Sequence, residues 1–544
     1  MCYAESGRSK PDAGSSSKNG MTGSAARFVQ SIVDSMSCAL NRWIEYMLTY
    51  HRSIFACLVL LPMSLVYDAV SYVRSSIVFK MKSAPAHHAA RVAHVQKQVK
   101  DWNADGRRRP MCTARAGWKT ISLRIGTYKE TMSNINVDLY DVLEVDQKAR
   151  TVRVEPLATM GQITSLILPT GWTLALTPEL DDLTVGGLIA GFGVETSSHK
   201  HGLFQHIVKS IELVTADGEV VNCSATENPE LFYSIPWSYG TLGFIVSAQL
   251  KLVPTKKYAH ITYTPCHTQQ DYTKIFEAAA RNMDNDFVEC LVYSQNEAVV
   301  MTGVMTDHVV QAKRNAIGNY YKPWFYKHVE QFLTIGPSNE YIPLRDYYHR
   351  HSRSIFWELS DIIPFGNEPI FRYLFGWAVP PKVSLLKLTQ IEATRKLYEL
   401  HHVVQDMLVP ISSTAECVNI FHDEFDLYPL WLCPMQLPSA SHAKYGGFLK
   451  PAIVDGKPEE MFVDIGAYGN PANKGFVAAE SMKRVEAHVR RLQGFQALYA
   501  DCYMTEQEFE QMFDHTTYKK LRKQYRCEDA FPTVYGKINR SARK

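Results

Sequence analysis

One glycine-dense stretch decides the fold of this chain: Thr184-Val185-Gly186-Gly187-Leu188-Ile189-Ala190-Gly191-Phe192-Gly193-Val194-Glu195-Thr196. Four glycines and one alanine fall within eight residues of it. Residues without a large side chain let backbone amides approach a charged group closely, and successive inward-pointing amides form an anion-binding concavity. Short glycine patterns also occur in tight turns that pack against a helix. The stretch alone therefore fits both a cradle for a cofactor diphosphate and a packed glycine turn.

Length and composition set the outer limits of the interpretation. A chain of 544 residues predicts two or more domains, and 46% hydrophobic with 21% charged residues is an ordinary globular balance. The net charge of +3 gives no case for nucleic-acid binding. The 11 cysteines form no Cys-x-x-Cys pair, so we predict no metal site and no disulfide framework, and a reducing compartment.

The N-terminal part of the chain predicts a membrane attachment. Residues 1–26 lack large apolar side chains and predict a disordered tail, whereas residues 27–78 combine an amphipathic helix over 28–50 with an apolar run. The run Ile54–Val66 has 13 residues, fewer than the roughly 20 that span a bilayer, and extending it to Val73 includes Asp68. It either spans or dips into one leaflet; a buried core helix is the alternative. The basic residues that follow favour a cytosolic location for the C-terminal bulk: Arg74, Lys80, Lys82 and Arg91.

The remaining pattern mixes helices and strands, which predicts an α+β protein. We expect domains over 79–255 and 256–480 and a helical segment over 481–544 that returns to the first domain. The expected helices are 84–104, Met160–Leu168 and Leu386–Leu408. The expected strands include Met111–Ala114, Ile121–Ile125, Ile135–Leu143 and Thr151–Glu155, and Asp217-Gly218 predicts a hairpin.

The order of motifs around the glycine stretch is specific. It comprises Glu155-Pro156, Thr184–Gly187, His201-Gly202-Leu203, Asp217–Val220, Leu231–Tyr233 and Gly240–Gly243. This succession resembles the FAD-binding domain of the vanillyl-alcohol oxidase (PCMH) flavoproteins. The resemblance implies a two-subdomain FAD-binding domain followed by an α+β cap domain over the substrate. It also implies that Thr184–Thr196 wraps the FAD diphosphate and that Gly243 and Ile245 close over the adenosine side.

Attachment of the flavin follows from the first phosphate loop of that family. The corresponding loop, Arg115–Tyr128, contains neither His nor Cys, the residues used for covalent attachment. We therefore predict non-covalent FAD; Cys112, just before the loop, is the residue that could change this. No Gly-x-Gly-x-x-Gly follows a strand, so NADPH is expected to bind transiently against the flavin.

Further segments narrow the resemblance to the branch of that family that reduces sterol side chains. They are Glu179–Leu188, Ser197–Lys200, Tyr347–His351, Asp361–Asn367, Asp464–Gly469 and Leu498–Met504. The resemblance implies reduction of the C24–C25 double bond of a sterol such as desmosterol, with NADPH as electron donor and flavin N5 delivering the hydride. It further implies location in the endoplasmic reticulum or Golgi membrane, a cytosolic catalytic domain, and contact with membrane lipid and other sterol-biosynthesis enzymes.

The polarity of this reaction requires an acid. Protonation at C24 leaves positive charge on tertiary C25, so hydride should reach C25 and a proton C24, beside walls that tolerate a developing cation. The candidate donors are Tyr468, Asp464 and Tyr499, with Tyr503 and Glu195 as further candidates. For each the alternative is a structural role. His349 and His351 favour surface or structural use over metal binding.

Two other functions fit the same pattern. An oxidase of the aldonolactone type would share the fold and need no NADPH. A membrane adaptor that keeps the fold without flavin would not be an enzyme.

Overall fold

The computed structural model describes residues 35–37, 39, 42–44, 46–119, 127–380, 382–388, 398–438 and 444–540. The predicted tail 1–26 and the predicted strand Ile121–Ile125 lie outside these residues. The chain divides into two units, Met1–Phe55 and Ala56–Lys544. In the first unit, the described residues up to 50 are helical and helix α1 covers Arg52–Phe55.

The second unit begins with helices and contains every strand of the described chain. Within it, the helices are α2 (Leu61–Lys80), α3 (Ala84–Ala104), α4 (Met160–Ile167), α5 (Val185–Ala190), α6 (Ser198–His201), α7 (Pro229–Ser234), α8 (Gln269–Arg281), α9 (Phe325–Glu330), α10 (Phe332–Ile335), α11 (Leu344–Tyr348), α12 (Leu359–Ile362), α13 (Pro369–Phe375), α14 (Val383–Leu388), α15 (Thr414–Phe425), α16 (Ala478–Arg491), α17 (Glu506–Met512), α18 (Thr516–Gln524) and α19 (Val534–Ile538). The strands are β1 (Met111–Thr113), β2 (Ser133–Ile135), β3 (Val142–Asp146), β4 (Thr151–Val154), β5 (Trp172–Leu174), β6 (Val208–Val214), β7 (Val220–Ser224), β8 (Phe244–Pro254), β9 (Tyr258–Cys266), β10 (Phe287–Val292), β11 (Ala298–Thr306), β12 (Ser338–Pro343), β13 (Val403–Pro410), β14 (Leu430–Gln436), β15 (Ala452–Val454), β16 (Lys457–Glu459), β17 (Met461–Gly469) and β18 (Phe495–Gln496).

The N-terminal helices follow the sequence pattern closely. The predicted helix 84–104 is confirmed as α3, and its apolar residues Val92, Val95, Val99 and Trp102 are buried along one side. The helical run Arg52–Lys80, which includes α1 and α2, is long and apolar enough to cross a membrane by length and composition.

The first large sheet is built around the long strand β8. Among the described residues it has the order β3-β4-β8-β6-β7, with β5 also paired to β8. The predicted hairpin is confirmed, because β6 and β7 pair in antiparallel fashion around Asp217 and Gly218, and Gly218 has a φ of +81°. The predicted helix at Met160 is also confirmed; its N-cap Thr159 and Gln162 form a capping box.

The second large sheet carries the candidate site. Among the described residues its order is β12-β9-β11-β10-β14-β17-β13-β18. Helices α8, α15 and α16 cover one face, where Phe276, Phe421 and Val485 join the strand residues Val463, Ile465 and Ala467 in an apolar core. Because successive strand residues point to opposite faces, Asp464, Gly466 and Tyr468 of β17 lie on the other face.

Two predicted elements differ in part from the structure. The predicted strand Ile135–Leu143 is interrupted, since β2 ends at Ile135 and β3 begins at Val142. Between them Asn136 donates a hydrogen bond to Asp138 (2.6 Å), a local bond that competes with strand pairing. The predicted helix Leu386–Leu408 is wrong at its C-terminal end. Residues 386–388 and 398–401 are helical and residues 389–397 lie outside the described residues, but residues 403–408 belong to β13, which pairs with β17 and β18. Pairing with distant strands prevails over helical spacing there.

The predicted domain limits remain predictions. In their favour, the first sheet uses strands between Val142 and Pro254, whereas the second begins with β9 at Tyr258.

Candidate functional site

The glycine stretch forms a short helix rather than an open loop. Thr184 is extended, α5 follows, and Gly191 ends the helix. The amide of Val185 donates to the carbonyl of Ala158 (3.0 Å) and the amide of Gly186 to that of Pro156 (2.7 Å). Both amides are hydrogen-bonded within the protein. They are therefore not free to bind a diphosphate in the predicted cradle.

The glycines of the stretch differ in what they accommodate. An added Cβ would lie 2.8 Å from Pro156 at Gly186, 2.7 Å from the Gly187 carbonyl at Gly191, and 2.6 Å from Leu188 at Gly193. At Gly187 it would meet only the Thr184 hydroxyl, at 3.1 Å, and Gly187 is exposed. Packing explains three of the glycines, and Gly187 is the one open to close approach by a ligand.

Half-buried cations lie beside this stretch. Arg115 donates to the Thr184 hydroxyl (3.1 Å), and the Lys129 amine donates to the carbonyls of Thr113 (2.9 Å) and Arg115. The Lys537 amine donates to the carbonyl of Tyr239, whose own amide donates to Ala190 (2.9 Å). Burial lowers the pKa of Arg115 and of Lys129, and burial together with nearby Lys129 lowers the pKa of Lys537 to about 8. Half-buried cations that repel one another suit an anionic group.

The end of the stretch is tied to the second sheet by ions. Arg350 binds both oxygens of Glu289 on β10 (2.8 Å each) and one oxygen of Glu195 (2.8 Å). Burial would raise the pKa of Glu289, but Arg350 and His351 lower it to about 2. Burial raises the pKa of Glu195 despite Arg350. Glu195 thus meets Arg350, and the amide of Val288 donates to the carbonyl of Thr196 (2.9 Å).

Asp406 on β13 holds two tyrosines. The hydroxyl of Tyr468 donates to one carboxylate oxygen (2.5 Å) and the hydroxyl of Tyr499 to the other (2.6 Å). A Cβ on Gly466 would lie 2.4 Å from the Tyr468 hydroxyl, so glycine is required for this placement. Burial raises the pKa of Asp406 to about 6, although both tyrosine hydrogen bonds lower it. Burial also raises the pKa of each tyrosine well above its ordinary value.

Asp464 is the buried acid of the site. It lies on β17 opposite Leu408 of β13 and Cys433 of β14, and its side chain is buried. Neither carboxyl oxygen has a hydrogen-bond partner within the described residues. Burial, followed by the charges of Asp406 and Glu179, raises its pKa well above the ordinary value. The raised pKa favours the protonated carboxylic acid, and no described group accepts a hydrogen bond from it.

The other candidate residues are placed apart from Asp464. Tyr503 packs against the apolar core on the helix-covered face of the sheet, so the structure does not bring it to this site. Gly243 packs against the carbonyl of Val214 (2.7 Å from an added Cβ), and Ile245 is buried on β8. His349 and His351 are buried rather than on the surface; His349 bonds Thr164 (2.7 Å) and the Glu179 carbonyl (3.1 Å).

Aromatic rings complete the site. Phe356 lies 4.9 Å and Trp357 5.5 Å from Tyr468, and the Trp357 indole donates to the Tyr468 carbonyl (2.6 Å). Trp431 lies 5.2 Å from Phe356 and donates to Glu289 (3.0 Å). The site thus combines an unengaged acid with π-faces that stabilise nearby positive charge.

These features fit FAD. The half-buried cations beside Thr184 and the open backbone at Gly187 suit its diphosphate, and the polar sheet face next to Glu195 suits a redox reaction with a proton donor. Cys112 lies buried on β1 with its thiol against Asn134 (3.3 Å).

Comparison with known proteins agrees with this architecture. The family model of a FAD binding domain matches residues 88–224. A Delta(24)-sterol reductase from Mus musculus is 55% identical over 503 residues, covering 92% of this chain and 96% of the relative. A Delta(24)-sterol reductase homolog from Caenorhabditis elegans is 43% identical, covering 94% of this chain and 100% of the relative. A Delta(24)-sterol reductase from Arabidopsis thaliana is 38% identical, covering 91% of this chain and 92% of the relative.

The chain belongs to the Delta(24)-sterol reductase family. Several residues of the site were not predicted from the sequence: Asp406, the Arg350–Glu289 pair, and the cations Lys129 and Lys537. The β-branched pair Val403-Val404 was a signal for the strand that carries Asp406. Glu289 stands alone among apolar residues of Phe287–Val292, a pattern that indicates a buried partner.

Proposed function

We propose that this chain reduces the C24–C25 double bond of sterol side chains as a FAD-dependent, NADPH-linked reductase. Membership of the Delta(24)-sterol reductase family supports the reaction class, and the FAD binding domain over residues 88–224 supports the cofactor. The observation that carries the mechanism is Asp464: a buried carboxyl whose oxygens have no hydrogen-bond partner in the described chain, on the sheet face that meets the glycine stretch.

The cofactor-holding residues form the first part of the proposal. Arg115, Lys129 and Lys537 would neutralise the diphosphate, and the exposed backbone at Gly187 would lie against it. Thr184–Thr196, Gly243 and Ile245 would form the surrounding binding surface. When bound, FAD would supply the redox chemistry, a hydride for C25, with NADPH as the electron donor. The attachment is proposed to be non-covalent.

Asp464 is proposed as the acid that protonates C24. Burial raises the pKa of this carboxyl and so favours its protonated form, and no described acceptor competes for the proton. Tyr468 and Tyr499 are weaker donors, because each hydroxyl hydrogen is already directed at Asp406 and each pKa is raised. We therefore order the candidates as Asp464, Tyr468 and Tyr499.

Asp406 and its tyrosines are proposed to maintain this acid. A negative charge on Asp406 raises the pKa of Asp464, so Asp406 favours the protonated form of its neighbour. The ring of Tyr468 lies 4.9 Å from that of Phe356 and 5.5 Å from that of Trp357. These three rings would stabilise positive charge developing at C25.

The cellular setting is the remaining part of the proposal. The family relationship and the apolar helical run support a membrane-associated enzyme. We propose the endoplasmic reticulum membrane, with the catalytic part facing the cytosol where NADPH is available. Contacts with other sterol-biosynthesis enzymes are part of the same proposal.

The reaction is tested in microsomes that express the full chain and receive desmosterol, NADPH and FAD. Cholesterol should form in the complete reaction and decrease when NADPH or FAD is omitted. Absence of product in the complete reaction would contradict the proposal. Oxygen consumption with a sugar lactone, without NADPH, would instead identify an aldonolactone-type oxidase, and purified protein without a flavin spectrum would favour an adaptor.

The cofactor assignment has its own test. Gly187→Trp should lose FAD, because its ring would fill the space at the open glycine. Gly475→Trp changes another exposed glycine in the same way and should retain FAD. Equal flavin content in both variants would contradict the placement of FAD at Gly187.

A further inference from the structure

Two neighbouring helices expose apolar side chains to the exterior. Along α2 the exposed residues include Leu65, Val66, Val70, Val73 and Ile77. Helix α13 and the turn after it expose Ile370, Tyr373, Leu374, Phe375 and Trp377. The turn Gly376–Ala378 packs against α2, so the two exposed faces form one surface, here called the α2–α13 surface.

Three charged residues of the two helices bond to the folded body: Asp68, Arg74 and Arg372. Asp68 pairs with Lys382 (2.7 Å) and Arg74 with Asp141 (2.7 Å). The guanidinium of Arg372 on α13 donates to the carbonyls of Asn367 (2.8 Å) and Tyr321 (2.5 Å). The outward faces between these residues are apolar and aromatic, the composition that a bilayer interface accepts.

These same contacts fix α2 along the folded body. Besides the pairs of Asp68 and Arg74, the Ser64 hydroxyl accepts a hydrogen bond from the backbone amide of Lys382 (2.8 Å). From Ser64 to Arg74 the ties cover about 15 Å of a helix that is about 30 Å long. If α2 crossed the bilayer, Asp68 and Arg74 would lie within the hydrocarbon and would lose their partners on the folded body.

We propose that the α2–α13 surface inserts into one leaflet of a lipid bilayer, with α2 lying in the plane of the membrane rather than crossing it. Tyr373 and Trp377 have the amphipathic rings that favour the headgroup region. A second protein would be expected to present partners for outward charges, but Asp68, Arg74 and Arg372 already have partners within the chain.

The position of this surface suits delivery of a membrane-dissolved substrate. Trp357 contacts Tyr468 of the site, and Ile370 of the α2–α13 surface follows 13 residues later. Lys382 joins α2 to Asp182, just before the glycine stretch. Only this delivery role rests on the proposed function; bilayer binding does not depend on the sterol reaction.

Vesicle flotation of the purified full chain tests the surface. Ile370→Glu/Leu374→Glu changes residues that are 77% and 59% exposed, so folding should be retained. The fraction bound to phosphatidylcholine vesicles should fall by tenfold or more. Ile335→Glu/Ile453→Glu adds the same charge at residues 68% and 52% exposed elsewhere and should bind as the unsubstituted chain does. FAD content reports folding of each protein.

Three outcomes would overturn the proposal. One is flotation of Ile370→Glu/Leu374→Glu equal to that of the control with FAD retained. Another is that the unsubstituted chain dimerises without lipid and this variant does not, while flotation is the same for both. That result would identify a second copy of the chain as the occupant of the surface. If this variant loses FAD, Ile370→Gln replaces it, and unchanged flotation then contradicts the proposal.

Protease protection tests the in-plane orientation of α2. Intact microsomes containing the chain with an epitope at each end should lose both epitopes to external protease. Protection of the N-terminal epitope alone would mean that the chain crosses the bilayer. Both measurements are independent of turnover, so a failed desmosterol assay with normal flotation would reject the proposed function while retaining the membrane surface.

Discussion

The two faces of the eight-stranded sheet differ in what they bury. On one face Val463, Ile465 and Ala467 pack against helices in an apolar core. On the other face, the alternate residues are Asp464, Gly466 and Tyr468. They provide a buried carboxyl, space without a side chain, and a phenol that bonds to Asp406. One strand therefore supplies both faces by simple alternation.

This difference shows how the protein separates stability from chemistry. Burial of apolar side chains stabilises the fold, whereas burial of carboxyls costs free energy and shifts their pKa values. The apolar face can offset that cost because it is continuous from α8 to α16. Substitutions on the polar face should therefore change reactivity, and substitutions on the apolar face should change stability.

The largest expected effect is on turnover, from Asp464→Asn. Loss of a general acid typically lowers turnover by about 10²- to 10⁴-fold, and the amide keeps nearly the same shape without a transferable proton. Sterol reduction and flavin content of the purified variant check this. A variant that retains FAD and turns over within a few-fold of the unsubstituted enzyme would contradict the role of Asp464.

The neighbouring substitution Ile465→Ala should have the opposite profile. It removes a fully buried side chain from the apolar face and should lower the free energy of unfolding by about 2–5 kcal/mol. Urea unfolding measures this, and turnover per folded molecule should change little. A large loss of turnover at unchanged stability would show that the two faces are not functionally separate.

A smaller effect should appear in the pH dependence of stability through Asp406. Its pKa is raised from 3.8 to about 6, so its stabilising contribution is complete below about 3.8 and is lost as pH rises through about 6. Relative to Asp406→Asn, the unsubstituted protein should lose up to about 1.4 kcal/mol of unfolding free energy per pH unit in that window.

Unfolding in urea at a series of pH values measures this difference. Asp284→Asn, which alters an exposed aspartate, is the control for loss of a carboxyl group. A constant difference between Asp406→Asn and the unsubstituted protein from pH 4 to pH 6 would contradict the shifted pKa of Asp406.

The smallest expected effect concerns FAD affinity. Lys537→Met removes a half-buried cation near the glycine stretch, and the Kd for FAD should rise about tenfold, which corresponds to about 1.4 kcal/mol. Fluorescence titration of the apoprotein measures it. Lys520→Met removes an exposed lysine paired with Glu230 and should leave the Kd unchanged. Equal Kd values for the two variants would remove Lys537 from the diphosphate site.

Local patterns predicted much of the first sheet but little of the polar face. The hairpin at Asp217-Gly218, the helix beginning at Met160 and helix α3 depend on neighbouring residues, so the sequence predicted them correctly. Asp464, Tyr468 and Tyr499 were candidates, and the structure brings all three near Asp406. Asp406 itself was hidden, because residues 403–408 have helical spacing and become a strand only by pairing with β17 and β18.

The cations and the buried ion pair were beyond reach for a related reason. Lys129 and Lys537 come from opposite ends of the second unit, and Arg350 meets Glu195 and Glu289 across more than 60 residues of chain in each case. Such contacts are set by the packing of the two sheets. A sequence pattern can mark Glu289 as unusual without identifying its partner.

Separate measurement of the two half-reactions tests the central claim most directly. With FAD bound, Asp464→Asn should accept electrons from NADPH at the rate of the unsubstituted enzyme. Anaerobic mixing of the reduced protein with desmosterol should then show flavin reoxidation slowed by about 10²-fold or more, because only this step needs the proton. Reoxidation at an unchanged rate would contradict the assignment of Asp464 as the proton donor.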